Sequence, residues 1–204
     1  MIRMIALSDC PKSQYYSQIC LERWEDLGYN VSLFEGTTPD TLGDELTFAE
    51  KKKTSGNPFT PSEKAIWYSH FRLWQTVKEP THIIEHDTYP FRSLPEFKGE
   101  DFGLFSIFPR NSRAWLKMEE HISPGSGYYI SERFASLLID GALKGPIEAN
   151  VDNHIHYIFE RELGMPTDVG AENRMVQLNK KYIAKANCFQ IVQYDIGTSA
   201  DHSK

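Results

Sequence analysis

Acidic and imidazole side chains gather in two short segments of this chain. In THIIEHD, residues 81–87, a hydrophobic run ends in two carboxylates, Glu85 and Asp87, one residue apart. Strand alternation places such a pair on one face. Hard oxygen ligands at that point can hold Mn²⁺ or Mg²⁺, and the ion can neutralise a diphosphate leaving group. His86 lies between them, and a neutral imidazole can donate to a phosphate or a sugar hydroxyl. Without further context, acids after a strand are more often a solvated turn. The second segment, PIEANVDNHIHYIF at 146–159, carries Glu148, Asp152, His154 and His156. Asp152 and His156 are four apart and share a helical face, with His154 pointing elsewhere. The ordinary reading of Asp152 is a helix cap. His70 falls in an apolar stripe and reads, by itself, as a core histidine satisfied by a neighbour.

These residues need a scaffold, and the chain supplies alternating strand and helix signals. Residues 1–7 are a short apolar run suited to a buried strand. Tyr16, Cys20, Trp24 and Leu27 recur at helical spacing across 13–27, and Gly28 ends that helix. Residues 29–34 alternate and favour a second strand, so the opening reads as the unit that builds a parallel sheet. A polar stretch over 37–60, with Lys51, Lys52, Lys53, Gly56 and Pro58, reads as a long loop. Pro61 then suits a first helical position, and Ile66, His70, Leu73, Trp74 and Val77 form one stripe. Strands are expected at 81–84, 102–108 and 127–130. Ser131 caps a helix whose face carries Phe134, Leu137, Leu138, Gly141 and Ala142, and a last helix carries Ile155, Ile158, Phe159 and Glu162. The expectation is an α/β fold with a mostly parallel sheet flanked by helices. It spans a single domain over 1–196, with a polar tail at 197–204.

PFTPSEKAIWYSHFRLWQTVKEPTHIIEHD resembles a stretch of the family 25 glycosyltransferases, the lipopolysaccharide-biosynthesis type. In that family a TPGE-type turn, an LSH helix and an LEDD strand follow one another. The matching residues are Thr60, Pro61, Ser62 and Glu63, then Ser69, His70, Leu73 and Trp74, then Ile84, Glu85, His86 and Asp87. IALSDCPKSQYY is similar to the family's INLDRSPERR opening, with Leu7, Ser8 and Asp9 at the strand end and Lys12 in the basic region, although the family's arginines are missing. Phe34, Glu35 and Gly36 resemble a second strand end. SGYYISERFASLL resembles a G-A-Y-L-I-S segment through Gly127, Tyr128, Tyr129, Ile130 and Ser131, with Phe134 in place of a glycine. PIEANVDNHIHYIF resembles a P-x-D segment near the acceptor and metal, with Asp152 in the acidic position. The likeness runs over residues 1–194. The main departure is EHD at 85–87, where the family usually has EDD.

The resemblance implies a GT-A-like (Rossmann-like) fold that lays a nucleotide-diphosphate sugar across the C-terminal edge of the sheet. Donor contacts would come from Leu7, Ser8, Asp9, Lys12, Ser69, His70, Glu85, His86 and Tyr128. A Mn²⁺ or Mg²⁺ ion would be held by Asp87, with Glu85 as co-ligand. Attack by an acceptor hydroxyl requires a base on the acceptor side, and Asp152 is the first candidate, followed by Glu148 and His154. The acceptor is expected to be a surface glycan or a hydroxymethylated base in DNA. Two other readings stand beside this one. A metal-dependent hydrolase would use Asp87, Asp152, His154 and His156, although no HExxH-type motif is present. An inactive nucleotide-sugar-binding module is the second, raised by the altered triplet.

Composition narrows the partners. A formal charge of −6 and a pI near 5.7 argue against a dedicated polyanion binder, though a local basic patch remains compatible. Arg72, Arg110, Arg113, Lys117 and the run at 51–53 are the cations that could meet a diphosphate or an acidic acceptor. Cys10, Cys20 and Cys188 lie far apart and match neither a zinc pattern nor a disulfide framework, so reduced thiols are expected. The opening residues are too weakly apolar for a signal peptide or a membrane span, and a soluble, cytoplasmic protein is expected.

Overall fold

The computed structural model describes residues 1–90, 93–94, 101–104, 127–162 and 189–191. Strand β1 (Ile2–Ala6) leads into helix α1 (Pro11–Asp26) and strand β2 (Val31–Glu35). Helix α1 starts two residues ahead of the expected 13, because Pro11 suits a first helical position. It stops where expected: Gly28 takes a φ of 83°, open to glycine at little cost. The stretch at 37–60 is mostly loop, holding a 3-10 turn at Pro39–Thr41 and an isolated bridge between Phe48 and Ile147.

Helix α2 (Pro61–Gln75) is fastened at its start by a capping box. The Glu63 amide donates to Thr60 Oγ1 at 3.2 Å, and the Thr60 amide donates to Glu63 Oε2 at 2.8 Å. The TPSE motif is thus a helix start in physical terms. Strands β3 (Thr81–Glu85), β4 (Thr88–Pro90), β5 (Phe102–Leu104) and β6 (Gly127–Ile130) follow, then α3 (Glu132–Leu143), α4 (Val151–Glu162) and β7 (Phe189–Ile191). Ser131 Oγ accepts from the Phe134 amide at 3.1 Å, as expected of a cap.

Five strands form one sheet in the order β2-β1-β3-β6-β5. The sheet is mixed, which corrects the expectation of a mostly parallel one: β1 pairs parallel with β2 and β3, whereas β6 runs antiparallel to both β3 and β5. β4 and β7 form a separate antiparallel pair. The expected strand at 102–108 is seen over Phe102–Leu104. The rest of it, Arg110, Arg113, Lys117, Cys188 and the tail at 197–204 lie outside the described residues.

Period-two alternation sorts the sheet into two cores. Ile2, Met4, Ile84 and Tyr129 face α1 and pack on Cys20 and Trp24. Ile5, Ile83, Tyr128 and Ile130 face the other way, onto Trp67, Phe71, Trp74, Leu138 and Ile155 from α2, α3 and α4. Helices therefore cover both faces, and the sheet is a middle layer. Each fully buried aromatic here contributes roughly 2–3 kcal/mol of burial free energy. Among the described residues, no helix is long and apolar enough to cross a membrane.

Candidate functional site

Glu85 inherits its direction from Ile83, two residues earlier, and so faces α2. There it meets His70, whose Nε2 lies 3.8 Å from Glu85 Oε1. A cleft with about 630 Å³ of empty space, part of it open solvent, lies over the C-terminal ends of β1 and β3. β1 gives it Ile5, Ala6 and Leu7, and the turn after β2 gives Thr37 and Pro39. α2 contributes Ser62, Ala65, Ile66, Ser69 and His70, and the end of β3 contributes Glu85 and His86. Open α/β sheets place ligands at this edge. Beside the cleft, the turn after β2 runs close to β1, since a Cβ on Gly36 would stand 2.9 Å from Leu7 Cδ2.

Ser69 holds the cleft wall in place. Its hydroxyl donates to the Ala65 carbonyl at 2.8 Å and accepts from the Thr37 amide at 2.7 Å, tying the turn after β2 to α2. His70 is 1 % exposed, and its Nδ1 lies 2.7 Å from the Tyr128 hydroxyl. That hydroxyl also accepts from Trp74 Nε1 at 2.8 Å. An indole N–H can only donate, so the Tyr128 proton is left for His70 Nδ1. This assignment puts the imidazole proton on Nε2, facing Glu85. Tyr128 is fully buried and reaches the cleft only through His70.

Burial pushes the His70 imidazole down to about 3. Burial also raises Glu85 well above the ordinary carboxylate range, with the charges of Asp87 and then Asp152 adding to it. The Tyr128 phenol is raised by burial and by the charges of Glu85 and Asp152. Asp152 is therefore close enough to act electrically on the centre of the site. Helix α4 begins at Val151, so Asp152 stands inside its first turn and Asn150 precedes the helix.

Of the strand-end pair, Glu85 lines the cleft and Asp87 does not. β3 ends at Glu85, and the turn that follows brings His86 to the cleft, while Asp87 is 3 % exposed and is not among the residues lining it. The charge of Asp87 bears on Cys20 of α1 as well as on Glu85. Alternation was extended two residues beyond the end of the strand, and the turn broke it. Ser8 and Asp9 lie in an exposed turn and Lys12 at the start of α1, outside the cleft lining.

Glu148 and His154 line a separate cavity that shares no residue with the cleft. Glu148 is half-exposed and paired with Lys53. His154 Nε2 lies 3.0 Å from the Leu138 carbonyl, and its ring packs against Trp67 and Trp74. Burial first, then the charge of Arg161, lowers its pKa against the opposing Leu138 carbonyl. His154 is thus half-buried, held by the Leu138 carbonyl and two indole rings, and it opens on the second cavity rather than on the cleft. The side chain of His156 lies outside the described residues. Trp74, which orients the site through Tyr128, was visible in the sequence only as part of an apolar stripe and of the helix likened to the LSH segment, with no role attached.

Among the described residues, no three His, Cys, Asp or Glu side chains group as a ready metal cage. Mn²⁺ and Mg²⁺ commonly use one or two carboxylates and complete their shell with water and substrate phosphate. The chemistry of Glu85 fits such a partial site, because a cation would relieve the repulsion it suffers from Asp87 and Asp152. The described lining carries no Lys or Arg to do so instead.

The depressed His70 pKa has a consequence for stability. A folded value of about 3 lies below the unfolded value near 6.5, so the folded state resists the proton. Stability present above about 6.5 is lost as pH falls toward 3. Chelator-treated wild type is expected to lose stability between pH 7 and 4.5 more steeply than His70→Gln, by up to about 1.4 kcal/mol per pH unit. His82 and His154 are lowered in both proteins and cancel in the comparison. Parallel urea-unfolding curves across that range would remove the assignment. The chain matches no family model and, at a significant level, no curated protein.

Proposed function

We propose that the chain is a glycosyltransferase, moving a sugar from a nucleotide-diphosphate donor to an acceptor hydroxyl. The observation that carries this reading is the meeting of His70, Glu85 and His86 in one cleft at the strand ends, with the charge of Asp152 acting on Glu85. The donor lies over Ile5, Ala6 and Leu7, and the apolar side of the cleft excludes water from the anomeric carbon. Glu85 would hold Mn²⁺ or Mg²⁺, with Asp87 behind it, and the ion would supply charge neutralisation for the leaving diphosphate. His86 and the Nε2–H of His70 donate to donor oxygens. Asp152 takes the acceptor proton. The family 25 likeness of TPSE, YSH and EHD supports the same assignment, and the parallel pairing of β1 with β2 and β3 is compatible with it. The acceptor in this reading is a glycan or a modified base in nucleic acid.

Thermal unfolding in the presence of uridine and other nucleotide sugars, with and without Mn²⁺, tests the reading. One donor is expected to raise Tm by several degrees at about a hundredfold excess over Kd, with a larger rise when Mn²⁺ is present. No shift with any nucleotide sugar under either condition overturns it. A shift without release of free nucleotide on adding acceptors would identify an inactive binding module.

A further inference from the structure

The second cavity has its own chemistry. It holds about 1390 Å³ of empty space, part of it open solvent, between the loop at 53–54, the end of α3 and helix α4. Lys53, Lys144 and Arg161 reach it from three separate elements, against one carboxylate, Glu148, which Lys53 already pairs. In a chain of formal charge −6 this is a local excess of cations. Trp67 forms part of its wall, and Tyr157 stands beside it with 57 % of its surface exposed. The Tyr157 ring is open to a flat partner from the cavity side.

We propose that this cavity is a binding site for single-stranded nucleic acid, with a base stacked on Tyr157 and the phosphodiester backbone passing Lys53, Lys144 and Arg161. Aromatic platforms beside dispersed cations are how folded domains hold a strand without reading its sequence. Cations from three elements suit a chain of phosphates better than a single anion, which needs donors converging on one point. Asn153 and Thr54 supply hydrogen-bonding groups within the same cavity. The lack of a shared residue with the cleft makes the site independent of the sugar-transfer reading, and it stands whether or not that reading holds.

The test is fluorescence anisotropy of a labelled oligothymidylate of about 12 nucleotides on the full chain. Binding is expected to weaken with salt, with a log–log slope near −2, roughly 0.7 for each of three phosphates. Tyr157→Ala is expected to weaken binding at least about fivefold. Lys144→Glu is expected to weaken it and flatten the slope by about 0.7. Both side chains are exposed, so both variants keep the fold. Lys78→Glu makes the same charge change away from the cavity and is expected to leave binding unchanged. No salt-dependent binding, equal loss in all three variants, or equally tight binding of a phosphorylated oligosaccharide of the same charge overturns the proposal.

Discussion

Glu85→Gln is expected to abolish sugar transfer and, in the same protein, to raise the melting temperature at neutral pH. The two effects share one cause. Burial and the charges of Asp87 and Asp152 hold the Glu85 pKa well above its unfolded value. A carboxyl group raised in this way contributes stability that is present below the unfolded pKa and lost as pH rises through the folded one. At neutral pH its charged form is a burden on the fold, and a neutral amide of the same shape removes the burden. The same charge is what would attract a cation and offset the leaving diphosphate, a contribution of several kcal/mol, or two to four orders of magnitude in rate at ~1.4 kcal/mol each. A folding defect would lower both quantities together. Transfer near wild type in Glu85→Gln, followed by release of nucleotide from the donor, would remove Glu85 from the chemistry.

The elements were legible where a local rule acts alone. Pro11, Gly28, the Thr60–Glu63 box and Ser131 mark helix ends through backbone hydrogen bonds that the sequence nearly dictates. Sheet order was less legible, because it depends on which strands meet across long separations. β6 follows a long connection and enters antiparallel beside β3, and nothing in GYYI distinguishes that from a parallel neighbour. The site divides in the same way. His70 and Glu85 were each visible, one on a helical stripe and one at a strand end, and their contact follows from parity within regular elements. His86 and Asp87 belong to a turn, where parity has no force: His86 lines the cleft as the family likeness implied, and Asp87 does not. Glu148 and His154 lie close to Asp152 in sequence yet line the second cavity, which Asp152 does not: Glu148 precedes α4, and His154 is turned about 200° from Asp152 around that helix.

Asp152 lines neither cavity, and it is its charge at the centre of the site that marks it as the base of the proposed reaction. Of the acids and imidazoles in its segment whose side chains are described, its charge is the one felt by both Glu85 and Tyr128. Asp152→Asn keeps the size and polarity of the side chain and removes its capacity to take a proton. Turnover is expected to fall by about a hundredfold or more, while the nucleotide-sugar dissociation constant stays within about twofold of wild type. Removing one of the two charges beside Glu85 also lowers the Glu85 pKa, so donor binding in the presence of Mn²⁺ has no electrostatic reason to weaken. A residue that only supports the start of α4 gives the opposite pattern, with stability altered and rate preserved. The decisive measurement is therefore single-turnover transfer at saturating donor, set against donor affinity and melting temperature for the same preparation. An Asp152→Asn enzyme that transfers at wild-type rate places the acceptor proton elsewhere. His86 is then the next group to replace, since it is the remaining titratable side chain that lines the cleft beside Glu85 and His70.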